Sequence, residues 1–166
     1  MKFRVEHTFA GVSLADYERV YFDETFNEAM YKAVRLERKL VRRDETGGRL
    51  VRVVRVAPDR QLPAPVAKIL GGAKIEYHEH LDYQLGSYRG SWRTEPSLLV
   101  DKIESRGTFG FEARGSSVLR WVEGEVKVKI FGVGSVIERF IVGDVEKSYD
   151  DVAAFTRQYL ADKAKA

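Results

Sequence analysis

The feature that most constrains the fold of this chain is one apolar stripe near its C-terminal end. From Gly134 to Lys163, apolar side chains recur at intervals of three and four, which is the spacing of one helical face. The stripe consists of Val136, Ile137, Phe140, Ile141, Val145, Tyr149, Val152, Phe155, Thr156, Tyr159 and Leu160. A helix of this length would run about 45 Å. It therefore needs a broad apolar surface to cover.

Local signals within this segment predict where the helix begins and where it is weak. Ser135 can act as the N-cap, with Glu138 three residues later in capping-box spacing. Gly143 marks a bend or a weak point, because glycine is a poor helix former.

The surface that this helix would cover is predicted to be an antiparallel sheet of about seven strands. Residues 2–9 alternate between apolar and polar side chains, as a half-buried strand does. Further strand patterns cover residues 36–43, 49–57, 73–84, 88–95, 101–113 and 117–130. Most connections are short, which favours a meander of hairpins. The exception is the Pro-flanked connection 58–72, which holds a short amphipathic turn at 66–70.

Two short helices are predicted between the first two strands. Ser13 can cap the first helix, with Asp16 in capping-box spacing. The second helix follows Asp23, and Thr25 and Glu28 have the same spacing. The chain therefore combines strands and helices in the segregated order of an α+β fold.

The composition is that of an ordinary globular domain. Hydrophobic residues make up 44% and charged residues 32% of the chain, so we expect residues 1–166 to form a single domain. There is no cysteine, which excludes disulfides, thiolate metal sites and a cysteine nucleophile. No apolar run approaches the ~20 residues of a membrane span, and the first residues lack the apolar core of a signal peptide. A cytoplasmic location is the resulting expectation.

The order of these elements resembles the START-like or SRPBCC superfamily, the helix-grip proteins that include Bet v 1-like allergens. Three segments are similar to a bacterial DUF2505-type branch: Lys2–Phe9, Leu62-Pro63, and Val126–Gly132 leading to Ile137-Glu138. The resemblance implies a curved antiparallel sheet with two short helices and a long C-terminal helix. It also implies a cavity between sheet and helix that mostly binds lipids, sterols, polyketides or hormones, and only sometimes supports catalysis. The long 58–72 connection departs from the pattern.

The strand faces that would line such a cavity are rich in aromatic residues. An apolar pocket with a few polar anchors has this composition, although the same residues could fill a solid core. The predicted ligand-binding residues are Tyr77, Glu79, Leu81, Trp92, Phe109, Phe111, Arg120, Ile137, Phe140 and Ile141.

Two of these residues are charges on apolar faces. Because a buried charge is costly unless it is paired, Glu79 and Arg120 should pair with each other or meet a polar ligand group and water. Arg120 could hold a carboxylate or phosphate head group. Alternatively, a β-bulge turns Arg120 outward, which the apolar neighbours Leu119 and Trp121 would explain.

Other polar motifs favour structural roles. Glu76, His78, His80 and Asp82 share one strand face, but side chains two residues apart lie about 6.6 Å from each other, which does not suit a zinc site. A solvated outer face is favoured, and neither a metal nor a cofactor is predicted. His7 fits a satisfied core histidine, so no catalytic residue is assigned.

Glycines at positions 107 and 110 have phosphate-loop spacing, but they lie within a strand and open no helix. They favour bending of the sheet around the long helix.

Residues 35–60 carry nine basic and four acidic groups. The basic residues are Arg35, Arg38, Lys39, Arg42, Arg43, Arg49, Arg52, Arg55 and Arg60. The acidic residues are Glu37, Asp44, Glu45 and Asp59. The segment lacks interleaved aromatics for base stacking, so nucleic acid is disfavoured as a partner. A solvated outer face is the leading interpretation, and transient contact with an anionic membrane surface is the alternative. Beside it, Leu62, Val66, Ile69 and Leu70 could form a lid.

Binding and intracellular transfer of a lipid or other hydrophobic small molecule is the favoured function. The second hypothesis is an enzyme of cyclase or hydrolase type, with Glu79, Tyr77 or His7 as acid–base groups in the same pocket. The third is an interaction module that recruits an acidic partner through the basic hairpin. The oligomeric state is left open.

Overall fold

A computed structural model describes residues 1–59 and 61–166 of the chain. The strands are β1 Lys2–Ala10, β2 Leu36–Thr46, β3 Arg49–Pro58, β4 Tyr77–Gln84, β5 Arg89–Pro96, β6 Ile103–Arg114 and β7 Ser117–Val128. The helices are α1 Leu14–Phe22, α2 Glu24–Ala33, α3 Ala64–Ile69 and α4 Gly134–Lys165.

The strands form one antiparallel sheet in the order β1-β7-β6-β5-β4-β3-β2. Strands β2 to β7 pair with their neighbours in sequence, whereas β1 pairs with β7, so β1 and β2 occupy opposite edges. The α1–α2 segment runs between these edges, and α4 packs against β1, β7 and α2. The predicted α+β helix-grip architecture is therefore confirmed.

Two strands in the centre of the sheet approach each other closely at a pair of glycines. Gly107 on β6 lies opposite Gly124 on β7. A Cβ added at Gly107 would lie 1.9 Å from the backbone carbonyl oxygen of Glu123, closer than atoms can approach. Only glycine is compatible with this close approach of two strands.

An aromatic cluster, made of Tyr17, Tyr21, Phe22, Tyr83, Phe109 and Phe111, closes one end of the space between sheet and helices. The rings of Phe22 and Tyr83 have centroids 4.6 Å apart, and those of Tyr21 and Phe109 are stacked at 5.7 Å. Rings at these separations pack as tightly as a protein core requires. This end of the molecule is solid.

The two halves of α4 have different partners. In its second half, Phe155 and Tyr159 pack on Phe26 of α2, with ring centroids 5.8 and 4.9 Å away. In its first half, Ile137, Phe140 and Ile141 face the sheet. The second half is therefore anchored by packing on α2 and also by Arg157, which donates to the Thr8 carbonyl on β1 at 3.2 Å.

The predicted helix starts are partly right. The Ser13 hydroxyl accepts a hydrogen bond from the Asp16 N–H at 3.2 Å, so this cap is confirmed. The cap predicted at Thr25 is wrong, because the Asp23 carboxylate accepts the Phe26 N–H at 2.7 Å. Helix α2 therefore begins at Glu24, and Thr25 lies inside its first turn.

The predicted cap of α4 is also wrong. Helix α4 begins at Gly134 without a side-chain cap, and Ser135 lies inside its first turn. Glu138 instead accepts the Val128 N–H at 2.9 Å, which joins the end of β7 to the helix. This hydrogen bond lowers the pKa of Glu138. The predicted strands 73–84 and 117–130 are too long at one end, since β4 begins at Tyr77 and β7 ends at Val128.

Two glycine substitutions test these packing arguments. Gly143 is helical, and a Cβ there would meet nothing within 4 Å, so Gly143→Ala should raise the free energy of unfolding by about 0.5–1 kcal/mol. Gly107→Ala should lower the free energy of unfolding by about 1–3 kcal/mol, because β6 and β7 must move apart. Urea denaturation measures both. If Gly143→Ala destabilises the protein, the helix requires its glycine for a bend.

Candidate functional site

A cavity of about 460 Å³ lies between the sheet and α4, whose lining residues run from Ile137 to Thr156. Strands β4 to β7 form its floor, α4 forms one wall, and α1, α2 and α3 contribute to the others. Apolar and aromatic side chains dominate its lining. This volume is within the range of small-molecule sites.

Seven of the ten predicted ligand-binding residues line this cavity: Tyr77, Glu79, Trp92, Arg120, Ile137, Phe140 and Ile141. The other three, Leu81, Phe109 and Phe111, do not. Phe109 and Phe111 lie on the inner face under the α1 rings of Tyr21 and Tyr17. Leu81 is buried in the same core cluster. Contact of these three side chains with a ligand stays a prediction.

Several lining residues were not predicted. They come mainly from the two short helices, β3 and the loop after β5, and include Tyr21, Met30, Tyr31, Arg52, Leu98 and Leu99. For Arg52 a signal exists, since it alternates in phase with the buried Leu50 and Val54. For the helical residues no signal exists, because an apolar helix face has the same sequence pattern whether it covers a solid core or lines a cavity.

The proposed lid segment also reaches the cavity. Leu62, Val66 and Leu70 line it, and Val66 is buried. Whether the segment moves stays a prediction.

Arg120 points inward and is almost completely buried, with 1% of its surface exposed. The pairing of β7 with both β1 and β6 is in continuous register through Arg120, so the predicted bulge is wrong. Of the two apolar residues that suggested it, Leu119 and Trp121, Trp121 lies on the outer face, where Arg4 and Arg89 stand 5.1 and 5.5 Å from its ring. Arginine stems can cover such a ring as apolar groups do.

The partners of Arg120 are neutral groups. Its Nη2 donates to His7 Nδ1 at 3.0 Å and to the Tyr149 carbonyl at 3.4 Å. The rings of Phe9 and Tyr149 lie 5.3 and 5.1 Å from its guanidinium carbon. The cation is therefore held by cation–π contacts and hydrogen bonds without a carboxylate among these contacts.

His7 connects Arg120 to the surface. Since arginine can only donate, His7 Nδ1 must accept, and its Nε2–H then donates to Asp150 Oδ1 at 2.8 Å. Burial lowers the pKa of His7, with further lowering by the guanidinium groups of Arg120 and Arg157, against a raising effect of Asp150. His7 is a neutral connector outside the cavity wall, which removes it from the acid–base candidates of the pocket.

Arg52 is the second buried cation, with 3% of its surface exposed. The basic hairpin was interpreted as a solvated outer face, and for Arg52 this is wrong because its strand position faces the cavity. Its Nη2 lies 3.8 Å from Glu79 Oε1 and its Nη1 lies 3.9 Å from Glu24 Oε1. Both distances exceed a hydrogen bond. Glu79 is therefore a neighbour of Arg52, at a distance too long for a hydrogen bond.

Three tyrosines of the cavity wall are neutral hydrogen-bonding groups. Burial raises the pKa values of Tyr21, Tyr31 and Tyr149 above the ordinary value of a phenol. Each therefore keeps its proton at neutral pH.

The polar outer face of β4 forms separate cross-strand pairs. Asp82 accepts from Arg49 at 2.9 Å, His80 lies 3.0 Å from Glu95, and Glu76 accepts from Arg55 at 3.2 Å. Over residues 1–59 and 61–166, no group of acidic and histidine side chains is arranged to hold a metal.

The basic hairpin is extensively ion-paired. Its pairs are Arg35–Asp59, Arg38–Glu24, Arg42–Asp44, Arg43–Glu45, Arg49–Asp82 and Arg55–Glu76. Arg60, which belongs to the predicted segment, lies outside the described residues. An anionic membrane partner stays a prediction, and these pairs reduce the positive charge that the hairpin could offer it. None of the helices in the described chain is long and apolar enough to cross a membrane.

Comparison with known proteins agrees with this architecture. A family model described as "Protein of unknown function (DUF2505)" matches residues 4–160. The structure of TTHA0849 from Thermus thermophilus has a TM-score of 0.64 at 16% identity, over 93% of this chain and 96% of that chain. Ara h 8.0201 has a TM-score of 0.64 at 11% identity, over 93% and 96%.

A START superfamily protein from Mycobacterium smegmatis has a TM-score of 0.58 at 12% identity, over 97% of both chains. A comparison with curated proteins finds no match. At these identities the likeness concerns the fold, and it confirms the START-like, Bet v 1-like resemblance.

The His7 connection predicts a pH dependence of stability. Because the pKa of His7 is lower in the folded chain, the unfolded chain binds its proton more tightly. The stability that depends on neutral His7 is fully present above its unfolded-state pKa of about 6.5. This stability is lost as the pH falls through and below that value. His7→Gln keeps an acceptor and a donor but does not titrate. Urea denaturation from pH 8 to pH 5 should therefore show a smaller loss of stability for His7→Gln than for wild type; parallel losses would contradict this.

Proposed function

Because the chain belongs to the DUF2505 family and has a START-like fold, we propose that it binds a largely apolar small molecule between the sheet and α4. The observation that carries this proposal is the cavity of about 460 Å³. Its lining includes Trp92, Ile103, Phe140 and Ile141, which would contact the ligand.

Packing energetics support an occupant of this kind. Side chains around an empty cavity lose dispersion contacts that a close-packed core would have. An apolar ligand restores them and removes its own surface from water, at about 25 cal/mol per Å² buried. The aromatic cluster shows that this chain can pack solid where α1 covers the sheet, so the open volume under α4 is a local feature.

The enzyme and interaction-module hypotheses have weaker support. His7 is committed to Arg120 and Asp150 outside the cavity wall, and Glu79 lies beside the Arg52 guanidinium. The basic hairpin, which the third hypothesis requires, pairs with three acids from outside it, Glu24, Asp82 and Glu76, and these reduce its excess of positive charge. Turnover in the same pocket stays the second prediction.

A specific observation supports transfer through contact with a membrane. Val100 and Phe131 are exposed on two neighbouring loops, which are joined where the Lys129 N–H donates to the Lys102 carbonyl at 2.7 Å. The first of these loops also contributes Leu98 and Leu99 to the cavity lining. We place transient contact with an anionic membrane at this rim, where lysines flank apolar side chains.

Binding of the neutral fluorophore Nile red tests the proposed function. Wild type should bind it with a blue-shifted emission, because the dye leaves water for the cavity. Ile141→Trp places an indole in the ligand volume and should weaken binding by about tenfold or more. Glu146→Trp adds the same ring to an exposed position of α4 and should leave binding unchanged. Equal affinities for the two variants would contradict binding in this cavity.

Vesicle sedimentation tests the membrane rim. Wild type should partition onto vesicles that contain phosphatidylserine more than onto pure phosphatidylcholine, and less as salt increases. Phe131→Ser should reduce partition by about tenfold, since it removes one inserted aromatic side chain. Val41→Ser removes an exposed apolar side chain on β2 and serves as the control. If both variants behave alike, the rim is not the contact surface.

A further inference from the structure

The buried residues of the cavity wall include two charged ones, and both are arginines, Arg52 and Arg120. A buried cation is tolerated only where its hydrogen-bonding groups and its charge are satisfied. The two arginines differ in this respect. The difference indicates which end of the cavity requires something that the protein itself does not provide.

Arg120 has neutral partners on several sides. Its Nε lacks a hydrogen-bond partner, but His7 and the Tyr149 carbonyl both accept from its Nη2. The faces of two aromatic rings stand within 5.3 Å of its guanidinium carbon. Through His7 it is also connected to the charged Asp150. Its geometry is explained by the junction of β1, β7 and α4.

Arg52 lacks comparable partners. Its Nε and Nη1 have no hydrogen-bond partner among residues 1–59 and 61–166, although its side chain is only 3% exposed. Its nearest carboxylates, those of Glu79 and Glu24, stay at 3.8 and 3.9 Å. The ring of Phe22 lies 5.9 Å from its guanidinium carbon. A buried guanidinium whose N–H groups lack acceptors is unfavourable.

Neither neighbouring carboxylate can be assigned wholly to Arg52. Glu24 already faces Arg38 at 2.6 Å and Arg43 at 3.1 Å, so two other cations share its charge. Glu79 is 21% exposed and stands outside hydrogen-bond distance. The charge of Arg52 therefore faces two carboxylates, but its Nε–H and Nη1–H groups have no acceptor among the described residues.

We propose that the ligand of this cavity carries a single carboxylate, which Arg52 binds, and that its apolar part extends beneath α4. A carboxylate supplies one negative charge and two acceptors in one plane, which matches a guanidinium with free N–H groups. The neutral phenol of Tyr21 also lines the cavity and can donate to the same head group. The apolar lining around Trp92 and Phe140 suits the chain of a fatty acid-like molecule. This inference rests on the proposed function.

Matched ligands of equal length test the inference. Displacement of Nile red by decanoate and by decanol, at neutral pH and below micelle-forming concentrations, compares an acid with an alcohol. Decanoate should bind wild type about 10- to 100-fold more tightly, the range for a hydrogen bond to a charged group. Arg52→Gln should abolish this preference, so that decanoate and decanol displace Nile red from the variant equally well.

Arg49→Gln is the control for loss of a positive charge from the same strand. Arg49 is exposed and pairs with Asp82 on the outer face, so its replacement should leave the preference for decanoate intact. Arg52→Lys keeps the charge but loses the planar fork, and it should give an intermediate preference. The comparison of acid with alcohol on wild type requires no variant, so it tests the preference for a carboxylate even if Arg52→Gln does not fold.

The outcomes separate the two proposals. If Nile red does not bind wild type, the proposed function fails and this inference falls with it. If Nile red binds but decanol competes as well as decanoate or better, the cavity is apolar without a carboxylate site and the inference is overturned. An unchanged preference in Arg52→Gln would overturn the role of Arg52.

Discussion

The contact on which the rest of the structure depends is the burial of Arg120 at the junction of β1, β7 and α4. Its guanidinium is held by His7 on β1 and by the carbonyl and ring of Tyr149 on α4. Because a buried cation tolerates few arrangements, this junction determines how α4 lies across the sheet. Towards its C-terminal end, Phe155 packs on Phe26 of α2. The helix lines the cavity on both sides of this junction, from Ile137 to Thr156, so this one contact fixes the wall against which a ligand would lie.

Most of the fold could be predicted from the sequence, because its signals are periodic. The alternation of strands and the spacing of the α4 stripe predict the elements and their inner faces well. Boundaries are less predictable, since they depend on tertiary partners. Glu138 has the spacing of a capping-box residue, but its carboxylate accepts the Val128 N–H at the end of the preceding strand. The spacing alone does not distinguish these two uses of one carboxylate.

The sequence predicts which strand side chains face inward at the candidate site, but it does not predict which of them line the cavity. Alternation places Leu81, Phe109 and Phe111 on the inner face, where they lie, but it does not show that all three are buried in the core. Nor does it show that α1 rings cover Phe109 and Phe111. Arg52 shows the opposite difficulty. Its alternation with buried apolar residues predicts an inward side chain, whereas the local excess of arginines suggests a solvated surface. Residue type and periodicity conflict at that position, and conflicts of this kind are typical of functional sites.

The pairing of β1 with β7 has a consequence for the order in which this chain assembles. Strands β2 to β7 pair in sequence order, so most of their hairpins close small loops. The contact between His7 and Arg120 instead spans 113 residues. Loop closure over that separation carries a larger entropic cost, and it is repaid only after the meander exists as a template. We therefore expect the strand that comes first in the chain to dock last, and until it docks Arg120 has no histidine partner.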